Sequence, residues 1–374
     1  MHILIAPNAF KNSLDAPEVA LAIAEGLQQS KLVCTTECFP IADGGDGTAK
    51  LILERCRGTR IVHEVHDPLG RKINSSFGLI DQGKTAVIEM ADASGLRLLT
   101  REERNPLIAS SVGTGELIRA ALDNGARKII IAMGGSATVD GGCGILGALG
   151  MRFYDLSGRQ LKAIPAELGD LFKADTSRLD ERLLETEIII LCDVANYLLG
   201  PHGAAAVYGP QKGASAVDVI TLDRFLENFV TVTLVQTGRN MDEINYGGAA
   251  GGASSGLYAW LGANLVNGID YFLTLTDFDE ALSRADLVIT GEGSIDMQTL
   301  QGKGPFGLAL RAKERGIPVI GMAGKVERSE EMGEYFNELI CINNAITDLE
   351  DMLNNTKNNL VLAAKVLGDE LHGG

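Results

Sequence analysis

Five clusters in the sequence are rich in glycine, and four of them set it beside residues able to carry charge. Asp43-Gly44-Gly45-Asp46-Gly47-Thr48 and Gly134-Gly135-Ser136-Ala137-Thr138-Val139-Asp140-Gly141-Gly142 join glycine to carboxylates and hydroxyls. Gly209-Pro210-Gln211-Lys212-Gly213, Gly247-Gly248-Ala249-Ala250-Gly251-Gly252 and Gly291-Glu292-Gly293-Ser294-Ile295-Asp296 follow. Glycine admits positive φ and lets backbone N–H groups approach an anion with no Cβ in the way. Nearby carboxylates suit Mg²⁺, which takes one or two of them and completes its shell with water and phosphate oxygens. A lysine beside such a loop is a point charge for phosphate or carboxylate, and Lys11, Lys212 and Lys303 stand in those positions. One such cluster is explained equally well as a tight turn. Five together point to a site that handles small anions.

Other chemistries lack their signatures in the required setting. Gly78–Thr85 fits GxxxxGK[ST] but joins two strands of a meander where a P-loop must open a helix, Gly252–Gly256 fits GxSxG with no strand read immediately before it, and the protein-kinase pattern is missing. Gly142-Cys143-Gly144-Ile145-Leu146-Gly147 fits GxGxxG but lies well past the end of the preceding strand, which argues against a dinucleotide site. His202 alone among the histidines sits in a glycine-rich loop, and the six cysteines form no CxxC or Cys/His series, so zinc is not expected. With 33 Lys and Arg against 49 Asp and Glu, the formal charge of −16 disfavours nucleic-acid backbones. No uncharged apolar run reaches the ~18–20 residues of a membrane span, and the opening MHILIAPNAF has no signal-peptide form. The expectation is a cytoplasmic globule with reduced cysteines.

The elements that must hold these loops alternate strand and helix. His2–Ala6 reads as a buried strand, and Asp15 with Glu18 forms a capping box for a helix whose buried face is Val19, Ile23 and Leu27. Residues 61–90 read instead as an antiparallel meander, punctuated by Pro68-Leu69-Gly70 and Asp81-Gln82-Gly83. Strands follow at Lys128–Met133, Glu187–Leu191, Ala285–Thr290, Ile317–Met322 and Glu338–Ile342, with helices near Gly115–Asn124 and Lys303–Arg315. The length of 374 residues suggests two domains. The expected class is α/β: a parallel-sheet, Rossmann- or flavodoxin-like domain from residues 1–60 and 275–374, with a mixed-sheet α/β domain, 61–274, inserted.

The motifs also carry a resemblance. Pro7-Asn8-Ala9-Phe10-Lys11-Asn12-Ser13-Leu14 is similar to PDSFKGSL, Pro40 to Thr48 to PxADGGEGT, Gly134 to Gly142 to GGSATNDGG, and Cys192-Asp193-Val194-Ala195-Asn196 to CDVxN. With Gly209–Ala214, Gly248–Gly252, Gly291–Thr299 and Gly302-Lys303, these blocks resemble the type I glycerate kinases of bacteria. The resemblance implies two α/β domains with the active site in the cleft between them. It also implies ATP- and Mg²⁺-dependent phosphorylation of D-glycerate to 2-phosphoglycerate in glycerate, glyoxylate or sugar-acid catabolism, with a homodimer as one oligomer to consider. Asn8, Ser13, Asp43, Gly44, Gly45, Gly134, Gly135, Ser136, Lys212, Gly251, Gly252, Gln298, Thr299 and Lys303 become candidates for binding substrate or nucleotide. Asp43, Glu292 and Asp296 become candidates for metal, and Lys11 a cation at the reacting phosphate. Asp193, closing the apolar strand EIIILC, is the first choice of base, and Asp296 the second. Four positions depart from the pattern: Asn8 stands for Asp, Asn12 for Gly, Val139 for Asn and Tyr197 for Pro. A kinase of another small hydroxy acid and a non-catalytic metabolite sensor are the alternative readings.

Overall fold

The computed structural model describes residues 1–297, 299–343 and 348–373. The chain divides into two compact units, one made of Met1–Asp43 with Ile269–Gly374 and the other of Gly44–Gly268. Its strands in chain order are β1 (His2–Ile5), β2 (Thr35–Cys38), β3 (Thr59–His66), β4 (Lys72–Ile80), β5 (Thr85–Glu89), β6 (Lys128–Ala132) and β7 (Arg152–Tyr154). They continue as β8 (Gln160–Leu161), β9 (Lys173–Asp175), β10 (Glu187–Cys192), β11 (Asn264–Asn267), β12 (Leu287–Ile295), β13 (Val319–Val326) and β14 (Glu338–Cys341).

The first unit is a five-stranded sheet ordered β14-β13-β12-β1-β2, parallel throughout. Ile3, Leu4 and Ile5 are fully buried because both faces of a parallel sheet are covered, and each such side chain contributes roughly 1.5–3 kcal/mol. Helix Ala16–Gln28 begins at the expected capping box: the Asp15 carboxylate accepts from Glu18 N, and Glu18 accepts from Asp15 N, both at 2.9 Å. Val19, Ile23 and Leu27 are its buried stripe, and helix Thr356–Gly373 packs beside it.

The second unit has a six-stranded mixed sheet, β11-β10-β6-β5-β4-β3, and a small antiparallel sheet, β8-β7-β9. Strands β3, β4 and β5 form the expected antiparallel meander, after which β5, β6, β10 and β11 run parallel. Two expectations need correction. Residues 44–60, expected in the first unit, fall in the second, because helix Thr48–Arg55 packs on β4 and β5; the later boundary falls at 268 rather than 274. The Gly291–Ile295 stretch, expected as a loop, is strand: β12 pairs with β13 as far as Ile295↔Val326. Gly291 makes that pairing possible, since a Cβ there would stand 2.1 Å from Met322 O. No helix among the described residues is long and apolar enough to cross a membrane.

Candidate functional site

The first unit gathers its chemistry where β1 and β12 end. Asn8 follows β1, its N–H donating to Gly291 O at 2.8 Å, and its side-chain amide donates to Asp43 Oδ2 at 2.9 Å. The same oxygen accepts from Gly304 N at 3.3 Å, in the first turn of helix Gly304–Glu314, where Lys303 is the N-cap residue. A helix N-terminus favours this negative charge. Asn12, where the family pattern has glycine, takes φ +66°, a left-handed conformation that asparagine tolerates better than most residues.

Glu292 lies within β12 and is 9% exposed. Its Oε1 accepts from Thr299 Oγ1 at 2.8 Å, while Oε2 has no hydrogen-bond partner among the described residues. Burial pushes its pKa up to about 7; the charges of Lys303 and Lys11 and the Thr299 bond pull it down, and Asp43 adds to the rise. Asp296 accepts from Ser294 Oγ at 3.2 Å, and its own N–H donates to Thr299 Oγ1 at 3.2 Å. Asp43, Asn8, Glu292, Asp296, Thr299, Lys11 and Lys303 thus belong to one neighbourhood. No three His, Cys, Asp or Glu side chains among the described residues form a ready metal set. Ser13 donates its hydroxyl to Leu353 O at 2.8 Å. Gln298 lies outside the described residues.

The second unit interlocks three glycine-bearing loops. Gly134 N donates to Gly44 O at 2.9 Å, and a Cβ on Gly134 would lie 2.5 Å from Gly45 Cα. Gly141 N donates to Gly251 O at 3.1 Å, and Gly251, at φ +67°, would bring a Cβ to 2.1 Å from Thr138 O. Gly252 is also left-handed, at φ +86°. Asp140 is fully buried and clamps the loop: its carboxylate accepts from Ser111 N and Oγ, Gly142 N and Gly144 N at 2.7–3.1 Å. Burial nevertheless raises its pKa.

Asp193 stands half-buried at the carboxyl end of β10. Burial, and then its charge, push the Tyr208 phenol up to about 12, and Tyr208 donates to Asn196 Oδ1 at 2.5 Å. Lys212, a candidate for binding phosphate or carboxylate, reaches into the Gly134–Gly142 loop. It is 3% exposed, and Nζ donates to Ser136 Oγ at 2.9 Å and Thr138 O at 2.7 Å. Burial lowers its pKa to about 7 against the opposing charges of Asp140 and Asp193. Two of its N–H donors thus have acceptors within the Gly134–Gly142 loop.

Comparison with known proteins follows the same lines. Residues 3–371 match the model of the glycerate kinase family. The chain is 46% identical over 328 residues to the glycerate kinase of Bacillus subtilis (strain 168), covering 88% of this chain and 86% of that protein. It is 44% identical over 326 residues to the glycerate 2-kinase of Escherichia coli (strain K12), covering 87% and 86%. The crystal structure of a protein assigned as glycerate kinase 2 from Salmonella typhimurium LT2 is similar at a TM-score of 0.84 and 41% identity, covering 100% of this chain and 99% of that one.

Proposed function

Because the chain belongs to the glycerate kinase family, we propose that it transfers the γ-phosphoryl group of ATP to D-glycerate, giving 2-phosphoglycerate. The family match over residues 3–371 carries this reading. The buried carboxyl of Glu292, with Lys11 and Lys303 close enough to shift its pKa, supports it.

Phosphoryl transfer through a loose transition state needs positioning and charge neutralisation more than covalent chemistry. Mg²⁺ would supply neutralisation between phosphoryl oxygens. The residues present fit it in a limited way: Mg²⁺ borne on a nucleotide needs only one or two carboxylates. Glu292, whose second oxygen has no hydrogen-bond partner among the described residues and whose charge burial opposes, and Asp43, whose charge it senses, would hold the ion. Lys11 and Lys303 would balance negative charge on phosphate or on the substrate carboxylate. Asp193 would take the proton of the attacking hydroxyl, and Asp296 is the second candidate.

The test is direct. Purified protein with ATP, Mg²⁺ and D-glycerate should release ADP and yield a product that enolase consumes without a mutase. A strict mutase requirement would place the phosphate elsewhere. Turnover only with lactate, tartronate or erythronate would reassign the acceptor, binding without turnover would favour a sensor, and undiminished turnover in excess EDTA would remove the metal.

A further inference from the structure

The Gly44–Thr48 loop is braced from a segment that none of the motif blocks contains. Inside the loop, Thr48 Oγ1 accepts from Gly44 N at 3.2 Å and donates to Gly45 O at 2.7 Å. Helix Thr48–Arg55 starts from Gly47, which has no side chain to cap it. The missing cap comes from β5. Glu89 is 4% exposed and accepts from Gly47 N at 2.9 Å and Ala49 N at 3.3 Å. That burial raises its pKa, and the nearby carboxylates of Asp92 and Asp46 raise it further, so a charged Glu89 needs a cation.

Arg97 is that cation. Its Nη1 lies 3.3 Å from Glu89 Oε1 and 3.5 Å from Asp46 Oδ1, and its Nη2 donates to Asp92 Oδ1. Its own segment is tied to the second glycine loop: Leu96 N donates to Gly135 O at 2.8 Å, and Ala137 N donates to Ser94 O at 2.9 Å. Gly135 in turn abuts Asp46, since a Cβ on it would lie 2.3 Å from Asp46 Oδ1.

We infer that Arg97 is a positioning residue for the two glycine loops: it holds Glu89 in place as the cap of helix Thr48–Arg55 and fixes Asp46 against Gly135. A planar fork with several donors can serve three carboxylates at once, which a lysine ammonium on a single point cannot. A cavity of about 440 Å³, lined by Lys50, Arg60, Phe77, Glu89, Asp92 and Arg97 among others, borders the guanidinium. Small solutes therefore have a way to reach this position.

That cavity makes chemical rescue the test. Arg97→Ala should lower turnover on the order of 10- to 100-fold, the scale of a displaced reacting group. Millimolar guanidinium should restore much of it, while equal sodium or urea should not, and Arg97→Lys should recover only part. Hydrogen exchange should quicken in residues 44–55 and 134–138 of Arg97→Ala and stay as in wild type elsewhere. Wild-type turnover with unchanged exchange would overturn the inference. So would a folded variant that guanidinium fails to rescue, or loss of protection spread over the whole chain. The activity arm rests on the kinase reading; were wild type inactive on glycerate, that reading would fail and the exchange arm would still decide the role of Arg97.

Discussion

The two units each bury an ionisable group, and they use it differently. In the first, Glu292 spends one oxygen on Thr299 and keeps the other without a hydrogen-bond partner among the described residues, with two lysines and Asp43 in electrostatic range. In the second, Lys212 spends two donors on Ser136 and Thr138. Both are held near neutral pKa by burial, in opposite directions. The difference teaches that a perturbed pKa marks a constrained group and that the hydrogen-bond count decides its task. A group with an unspent acceptor is prepared for a ligand; a group whose donors are taken is tied into its loop. Asp193, the strand-end carboxylate of the second unit, is the proposed base there.

The largest effect tests that assignment. Asp193→Asn should cut turnover by ~10²-fold or more with little change in thermal midpoint, as removal of a general base does. If Asp296→Asn costs more than Asp193→Asn, the base belongs to the first unit and the division of labour drawn above breaks.

Next, Glu292→Gln sharpens the contrast. It should raise the Mg²⁺ concentration needed for half-maximal turnover by about 10- to 100-fold, the usual scale for losing support around a metal, with partial recovery at high Mg²⁺. An unchanged Mg²⁺ requirement would make Glu292 a group tied into its loop, like Lys212.

The smallest effect is a slope. Lys212 has its folded pKa lowered from 10.5 to about 7, so between those values the unfolded chain binds a proton that the folded chain does not. Wild-type stability should therefore fall as pH drops from 10.5 towards 7 and level off below, by at most about 1.4 kcal/mol per pH unit. Lys212→Met should lack this slope when denaturant midpoints are followed across that range. Parallel pH curves for variant and wild type would mean that Lys212 is charged in the fold.

Much of this molecule is fixed by local pattern. The capping box at Asp15 and Glu18, the period-four stripe of Val19, Ile23 and Leu27, the apolar runs of β1 and β10 and the meander of β3 to β5 all follow from spacings within a few residues. The ordered motif blocks likewise identify the family, because each is contiguous. What the sequence could not disclose depends on partners far along the chain. Gly291–Ile295 is strand because β13 supplies the pairing. Lys212 is buried in the Gly134–Gly142 loop by acceptors that sit 74 and 76 residues away. Glu89 caps a helix that begins some 40 residues earlier, and Arg97 matters through the charges it joins. Periodicity reports which face of an element is buried. Whether a buried donor, acceptor or charge is already satisfied is decided only when distant segments meet, since hydrogen bonds and desolvation act over a few ångströms of space and take no account of sequence distance.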